Sequence, residues 1–65
     1  MEINIKFPDG TIKQFESGIS GFQIADSISH NLAAKIVATE INGKLYDTDT
    51  QINEDATILF HTFDS

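Results

Sequence analysis

Residues 2–16 read Glu2-Ile3-Asn4-Ile5-Lys6-Phe7-Pro8-Asp9-Gly10-Thr11-Ile12-Lys13-Gln14-Phe15-Glu16: a strand, a turn and a second strand. Ile3, Ile5 and Phe7 alternate with Glu2, Asn4 and Lys6. Successive side chains of a strand point to opposite faces, so 2–7 is read as a half-buried strand with the apolar series inward. Asp9-Gly10 is a strong signal for a two-residue hairpin turn, because both central positions of such a turn favour φ > 0. That turn predicts Phe7 opposite Ile12, both inward, and Lys6 opposite Lys13 on the outer face. The second strand, 11–16, then holds a conflict. Ile12 and Phe15 are three residues apart and cannot share one face of a regular strand. A bulge near Gln14, or a Phe15 packed at the strand end, resolves it.

Downstream of this hairpin the period changes. Ser17-Gly18-Ile19 is read as a connection. Ser20-Gly21-Phe22-Gln23 fits a capping box, with a serine hydroxyl for the third amide and a glutamine reaching back. A helix is predicted from about Gly21 to Ser29. Phe22, Ile24, Ala25, Ile28 and Leu32 fall on one side of it, and Gln23, Asp26, Ser27 and His30 on the other, the pattern of an amphipathic helix laid on a sheet. Asn31 tolerates a left-handed backbone and is placed at the helix end, followed by a short helical turn over 32–35. Ile36 to Ile41 reads as a third strand. Asn42-Gly43 then signals a second tight hairpin with Lys44-Leu45-Tyr46 as the return. Residues 47–56 read as a polar loop pinned by Ile52. The last strand is predicted over 57–63, with Ile58 and Phe60 on one face and Leu59 and His61 on the other.

The order is hairpin, helix, hairpin, loop, strand. A last strand pairing in the middle of a mixed sheet, beside the first, gives an α+β fold of β-grasp type with one main helix across one face. The expected core is Ile3, Ile5, Phe7, Ile24, Ile28, Leu32, Ile41, Leu45, Ile58 and Phe60.

Composition limits what such a domain can do. The chain has 65 residues, 40% of them apolar, and no cysteine. It is read as a single domain over 1–65, close to the smallest size that a hydrophobic core can hold unaided, with a net stability of about 3–5 kcal/mol. A water-excluding catalytic cleft would consume core that it cannot spare. The lack of cysteine removes disulfides, thiolate metal sites and a cysteine nucleophile, and favours a cytoplasmic protein. No apolar run approaches the ~20 residues that span a bilayer. Met1 leads to the expectation that the segment begins where a larger parent protein begins. Four lysines and no arginine stand against ten acidic residues, for a net charge of −6. A field of that sign repels phosphate backbones and anionic membranes.

The residue types that carry chemistry are sparse. His30 and His61 are thirty-one positions apart and are read as a solvated helix-end residue and a half-exposed strand residue. A zinc site would need three or four ligands, and none is expected. Asp47, Asp49, Glu54 and Asp55 do not have the spacing of a calcium loop and are read as a solvated acidic loop. No glycine pattern makes a phosphate-binding loop. Gly18 to Gly21 precedes a helix N-terminus, where amides could face an anion, and is read as a helix start and cap. Lys6 and Lys13 form the one candidate basic pair, a weak anion or RNA contact set against a simple role in solubility. No catalytic, cofactor or metal residue is assigned.

The chain resembles, along its whole length, the TGS domain. This small domain is shared by threonyl-tRNA synthetases, a class of GTPases and the stringent-response (p)ppGpp synthetase/hydrolases. The resemblance lies in Ile3 through Gly10, in Ile24-Ala25-Asp26-Ser27-Ile28-Ser29, in Ile41 through Asp47, and in Glu54 through Ile58 with Thr62-Phe63-Asp64-Ser65. Phe7-Pro8-Asp9-Gly10 and the Ala25-to-Ser29 helix look most like the N-terminus of a threonyl-tRNA synthetase. Two positions depart from that pattern. His30-Asn31 stands where Pro-Gly is usual, and Glu40 stands where a basic residue is frequent, which weakens any nucleic-acid contact at that edge.

The resemblance implies an accessory, non-catalytic domain of a threonine-tRNA ligase. ATP and zinc would then be used by other domains of the parent, and this fragment would need no cofactor. Its partners would be neighbouring domains, with tRNA met only weakly or indirectly. The alternative is a ligand- or partner-sensing domain of a stringent-response enzyme or GTPase. A sulfur carrier of the same fold class is disfavoured, because such carriers end in Gly-Gly and this chain ends Phe63-Asp64-Ser65.

Overall fold

The computed structural model describes residues 1–62. Its elements are β1 (Glu2–Lys6), β2 (Ile12–Glu16), β3 (Ile19–Ser20), α1 (Gly21–Ile28), α2 (His30–Lys35), β4 (Ile36–Ile41), β5 (Lys44–Tyr46), β6 (Gln51–Ile52) and β7 (Ala56–Thr62). Five strands form one sheet in the order β2-β1-β7-β4-β5. β1 and β7 run parallel, and the other neighbours run antiparallel. The last strand therefore lies beside the first, in the middle of a mixed sheet, and the fold is the expected β-grasp. Phe63, predicted at the end of this strand, lies outside the described residues. Ile24 of α1 packs against Ile3, Ile5 and Ile58 of the central strands, and all four are fully buried.

The first hairpin differs from its prediction by one residue. Gly10 N–H donates to Phe7 O at 2.9 Å, so Pro8 and Asp9 are the central residues of the turn. Asp9 keeps a negative φ, and only Gly10, at φ 91°, is left-handed. This is a three-residue loop, a type I turn followed by a left-handed glycine. Proline explains the choice, since its ring fixes φ near −65° and suits the first central position of a type I turn. The register becomes Lys6↔Ile12, Ile5↔Lys13 and Ile3↔Phe15, not Phe7↔Ile12 and Lys6↔Lys13. A slip of one residue moves every side chain of a strand to the other face. Ile12 thus points outward and is 59% exposed, while Phe15 joins the core from the position opposite Ile3. No bulge is needed at Gln14, and the pairing runs unbroken from Glu2↔Glu16 to Lys6↔Ile12.

The capping box is formed as expected. Gln23 N–H donates to Ser20 Oγ at 3.2 Å, and Ser20 N–H donates to Gln23 Oε1 at 3.0 Å. α1 ends earlier than predicted, at Ile28, and Ser29, not Asn31, makes the break. Ser29 is extended, its N–H closes α1 on Ala25 O, and its Oγ caps α2 by accepting from Leu32 N–H. Serine can serve both ends because its hydroxyl replaces a backbone partner at a helix start. Asn31 lies inside α2, and its φ is not positive.

The second hairpin matches its prediction. Asn42 and Gly43 have φ of 51° and 85°, as a tight two-residue turn requires. Asn42 also grips β7: its N–H donates to Thr57 O, and its Oδ1 accepts from Thr57 N–H. Leu45 is a correction. It sits opposite Glu40 on the open face of the sheet and is 64% exposed. Ile28, at 45% exposed, also lies outside the sealed core, and Ile36, Ile52, Ala33 and Ala56 complete that core instead. The pairing of β4 with β7 shifts between Ile36 and Ala38, so Val37 is turned outward. The predicted connection and polar loop hold a further pairing, β3 with β6, which buries Ile52.

Candidate functional site

Several hydroxyl and carboxylate groups are committed to the backbone. Ser20 and Ser29 cap helices, and Ser27 Oγ donates to Ile24 O at 2.6 Å. Asp55 Oδ1 accepts from Asn4 N–H at 2.7 Å and ties the acidic loop to β1. Two of the amides at the start of α1 are also taken. Gln23 N–H donates to Ser20 Oγ, and Phe22 N–H donates to Thr48 O at 2.9 Å.

Each histidine pairs with an acidic residue. His30 Nδ1 faces Asp26 across the break between the helices, and its side chain is 90% exposed. His61 Nε2 lies 3.2 Å from Glu40 Oε1 on the open face of the sheet. Both pairs join a histidine to a carboxylate, whereas nucleophilic catalysis requires a nucleophile within reach of the base. Among the described residues, no cluster of three or more histidine, aspartate or glutamate side chains could hold a metal ion.

Lys6 and Lys13, predicted side by side, lie on opposite faces of the first hairpin. Lys6 shares the outer face with Ile12, and Lys13 shares the inner face with Ile5. Each lines a different hollow. Lys6 borders a shallow hollow of mixed polarity, about 410 Å³, with Asn4, Ile12, Asp55 and Thr57. Lys13 borders a mainly apolar groove of about 400 Å³, lined by Phe7, Asp9, Ile28, Leu32 and Phe60 among others. The groove opens where the turn of the first hairpin meets the junction of α1 and α2. Asp9 at its rim is held by its own turn: its Oδ1 accepts from Thr11 N–H at 2.9 Å. Hydrogen bonds from the Thr11 amide and hydroxyl, with a smaller pull from Lys13, keep the Asp9 carboxyl below the usual aspartate range.

Sequence reasoning missed this groove, which draws on three segments far apart in the chain. One local signal was available. Pro8 argues for the longer loop, and the longer loop turns Lys13 inward.

The comparisons with known proteins fit this geometry. The family model described as the TGS domain matches residues 3–62. A threonine–tRNA ligase of Streptococcus pneumoniae serotype 19F (strain G54) is 55% identical over 62 residues, which cover 95% of this chain and 10% of that protein. Those of Streptococcus pneumoniae strains Hungary19A-6 and 70585 are each 53% identical over the same shares. The chain spans about a tenth of the length of the curated relatives it matches. With its β-grasp sheet, its capped helix and a match over nearly every described residue, the chain belongs to the TGS domain family.

Proposed function

We propose that this chain is the accessory, non-catalytic TGS domain of a threonine–tRNA ligase. One observation carries the reading: more than half of its residues are identical to a threonine–tRNA ligase over 95% of its length, in a region that makes up 10% of that enzyme. The parent would join threonine to tRNA in the cytoplasm, with ATP and zinc held by other domains. The histidines, serines and acids described above support a non-catalytic role, because their partners are helix ends, turns and each other. Neighbouring domains of the parent are the natural partners. Any help with tRNA would arise when they hold this domain in place and raise its effective concentration.

The test is a deletion in the parent enzyme. Removal of residues 1–62 should leave aminoacylation within about tenfold of the intact enzyme, a loss of about 1.4 kcal/mol at most. The 65-residue chain alone should give no ATP–pyrophosphate exchange above a blank and no stoichiometric zinc binding by calorimetry. Exchange by the chain alone, or loss of all aminoacylation in a deletion protein that keeps its fold, would overturn the reading.

A further inference from the structure

Asn42-Gly43 is a reactive dipeptide as well as a turn. Asparagine is thermolabile, because the backbone nitrogen of the next residue can attack its side-chain amide carbon and close a five-membered ring. The asparagines at 4, 31, 42 and 53 are followed by isoleucine, leucine, glycine and glutamate. Glycine hinders its own nitrogen least. A side chain at Gly43 would meet nothing within 4 Å, and both residues of the turn are exposed. Asn4 and Asn31 instead lie within β1 and α2, where regular structure fixes the backbone. Asp9-Gly10 offers the same ring closure with a weaker target. Thr11 keeps the Asp9 carboxyl ionised, and a carboxylate resists attack because its oxygen has to leave as water.

The fold restrains the reactive residue. Asn42 N–H donates to Thr57 O at 2.8 Å, and Asn42 Oδ1 accepts from Thr57 N–H at 2.9 Å. Ring closure needs freedom about the Cα–Cβ and Cα–C bonds of Asn42, and these two hydrogen bonds restrict both. We propose that Asn42 is the site at which this domain is modified by loss of ammonia, gated by the opening of its two bonds to Thr57. Gly43 N gives its proton to water and bonds to Asn42 Cγ, while the Cγ–Nδ2 bond breaks and Nδ2 leaves as ammonia. Water then opens the ring. Cleavage between Cγ and the Gly43 nitrogen gives aspartate, and cleavage at the main-chain carbonyl of residue 42 gives isoaspartate. One water is consumed and one ammonia released, with nothing oxidised or reduced. Aspartate adds one negative charge to the net −6 and keeps an oxygen for Thr57 N–H. Isoaspartate adds a carbon to the backbone of a two-residue turn and so breaks the pairing of Ile41 with Lys44, which frees β5 from β4.

The test incubates the folded 65-residue chain in warm, mildly alkaline buffer beside an unfolded reference, a peptide of residues 38–47. Peptide mass mapping follows each asparagine, and methyl transfer by an isoaspartyl methyltransferase counts isoaspartate. In the folded chain Asn42 should react before Asn4, Asn31 and Asn53. It should react about ten- to hundredfold more slowly than in the peptide, as a reaction through local opening does. The isoaspartate product should shift the amide signals of Lys44, Leu45 and Tyr46 and leave those of α1 in place. Asn42→Asp, which reproduces the other product, should keep the β5 signals. Equal rates in chain and peptide, first reaction at another asparagine, or no product at Asn42 after about a hundred peptide half-lives would each overturn the proposal. So would an isoaspartate product with unshifted β5 signals.

Discussion

Replacing Gly21 with alanine adds one methyl group where the helix rests on the sheet. Gly21 opens α1 and is buried against Thr39 of β4. A Cβ built there overlaps Thr39 Oγ1 and lies 3.0 Å from both Thr39 Cβ and Cγ2. Thr39 cannot swing away easily, because it is fully buried and β-branched side chains are stiff at χ1. Forcing a methyl group into such a site costs about 1–3 kcal/mol. Alanine's better helix propensity returns at most ~1 kcal/mol, and less at the first position of a helix. The net loss should be about 2 kcal/mol, near half of the ~3–5 kcal/mol available to a domain of this size. The melting temperature should fall by about 8–16 °C, at 4–8 °C per kcal/mol. Urea unfolding followed by circular dichroism reads the difference directly. The same substitution in a Thr39→Ala background should cost at least about 1 kcal/mol less, since Oγ1 and Cγ2 are gone and only the contact with the residue-39 Cβ remains. A loss under about 0.5 kcal/mol, or an equal loss in both backgrounds, would show that contact with Thr39 does not decide the position.

Ile5→Ala empties a fully buried site between the helix and the central strands and should cost about 2–5 kcal/mol in the same unfolding assay; a loss below ~1 kcal/mol would mean the inward face is misplaced. Asp9 has its carboxyl held below the usual 3.8 by Thr11, so its contribution to stability is present above that pH and fades as pH falls through the lower, folded value. Urea midpoints taken between pH 2 and 5, the acid range of carboxylates, should fall less steeply for Asp9→Asn than for the unsubstituted chain, and matching slopes would refute this. The isolated chain should bind tRNA more weakly than about 100 μM at ~150 mM salt, because Lys6 and Lys13 lie on opposite faces and cannot grip one phosphate backbone together. Saturable low-micromolar binding, weakened by both Lys6→Glu and Lys13→Glu, would contradict it.

The fold was legible where a local signal had one structural solution. The alternation of Ile3, Ile5 and Phe7 allowed only one inward face for β1. Ser20 and Gln23 marked the helix start at the right residue, because a capping box is satisfied entirely within four positions. Asn42-Gly43 fixed the second hairpin, because both residues tolerate the positive φ that a two-residue turn demands. Boundaries failed where two residues competed for one task. Asn31 and Ser29 could each end α1, and Ser29 prevailed because it caps the next helix as well. Leu45 misled because a short edge strand has few inward positions, and its pairing with Glu40 sent it to the open face. The shift at Val37 left no mark, since any residue of a β-branched run can be the one turned outward.

The site was less legible, and the reason lies in the arithmetic of hairpins. Both Pro8-Asp9 and Asp9-Gly10 are acceptable turn centres by residue type. They differ by one residue in loop length, and that residue decides which of Ile12 and Lys13 faces the helix. A reading that weighs glycine over proline obtains two lysines on an outer face, which would suit a phosphate backbone. A reading that lets proline fix the first central position obtains Lys13 beside Asp9 at the rim of a mainly apolar groove. The strand assignments are the same in both cases, so neither periodicity nor composition separates them. The side-chain chemistry of the domain therefore depends on a backbone constraint at Pro8, five positions from the lysine it orients.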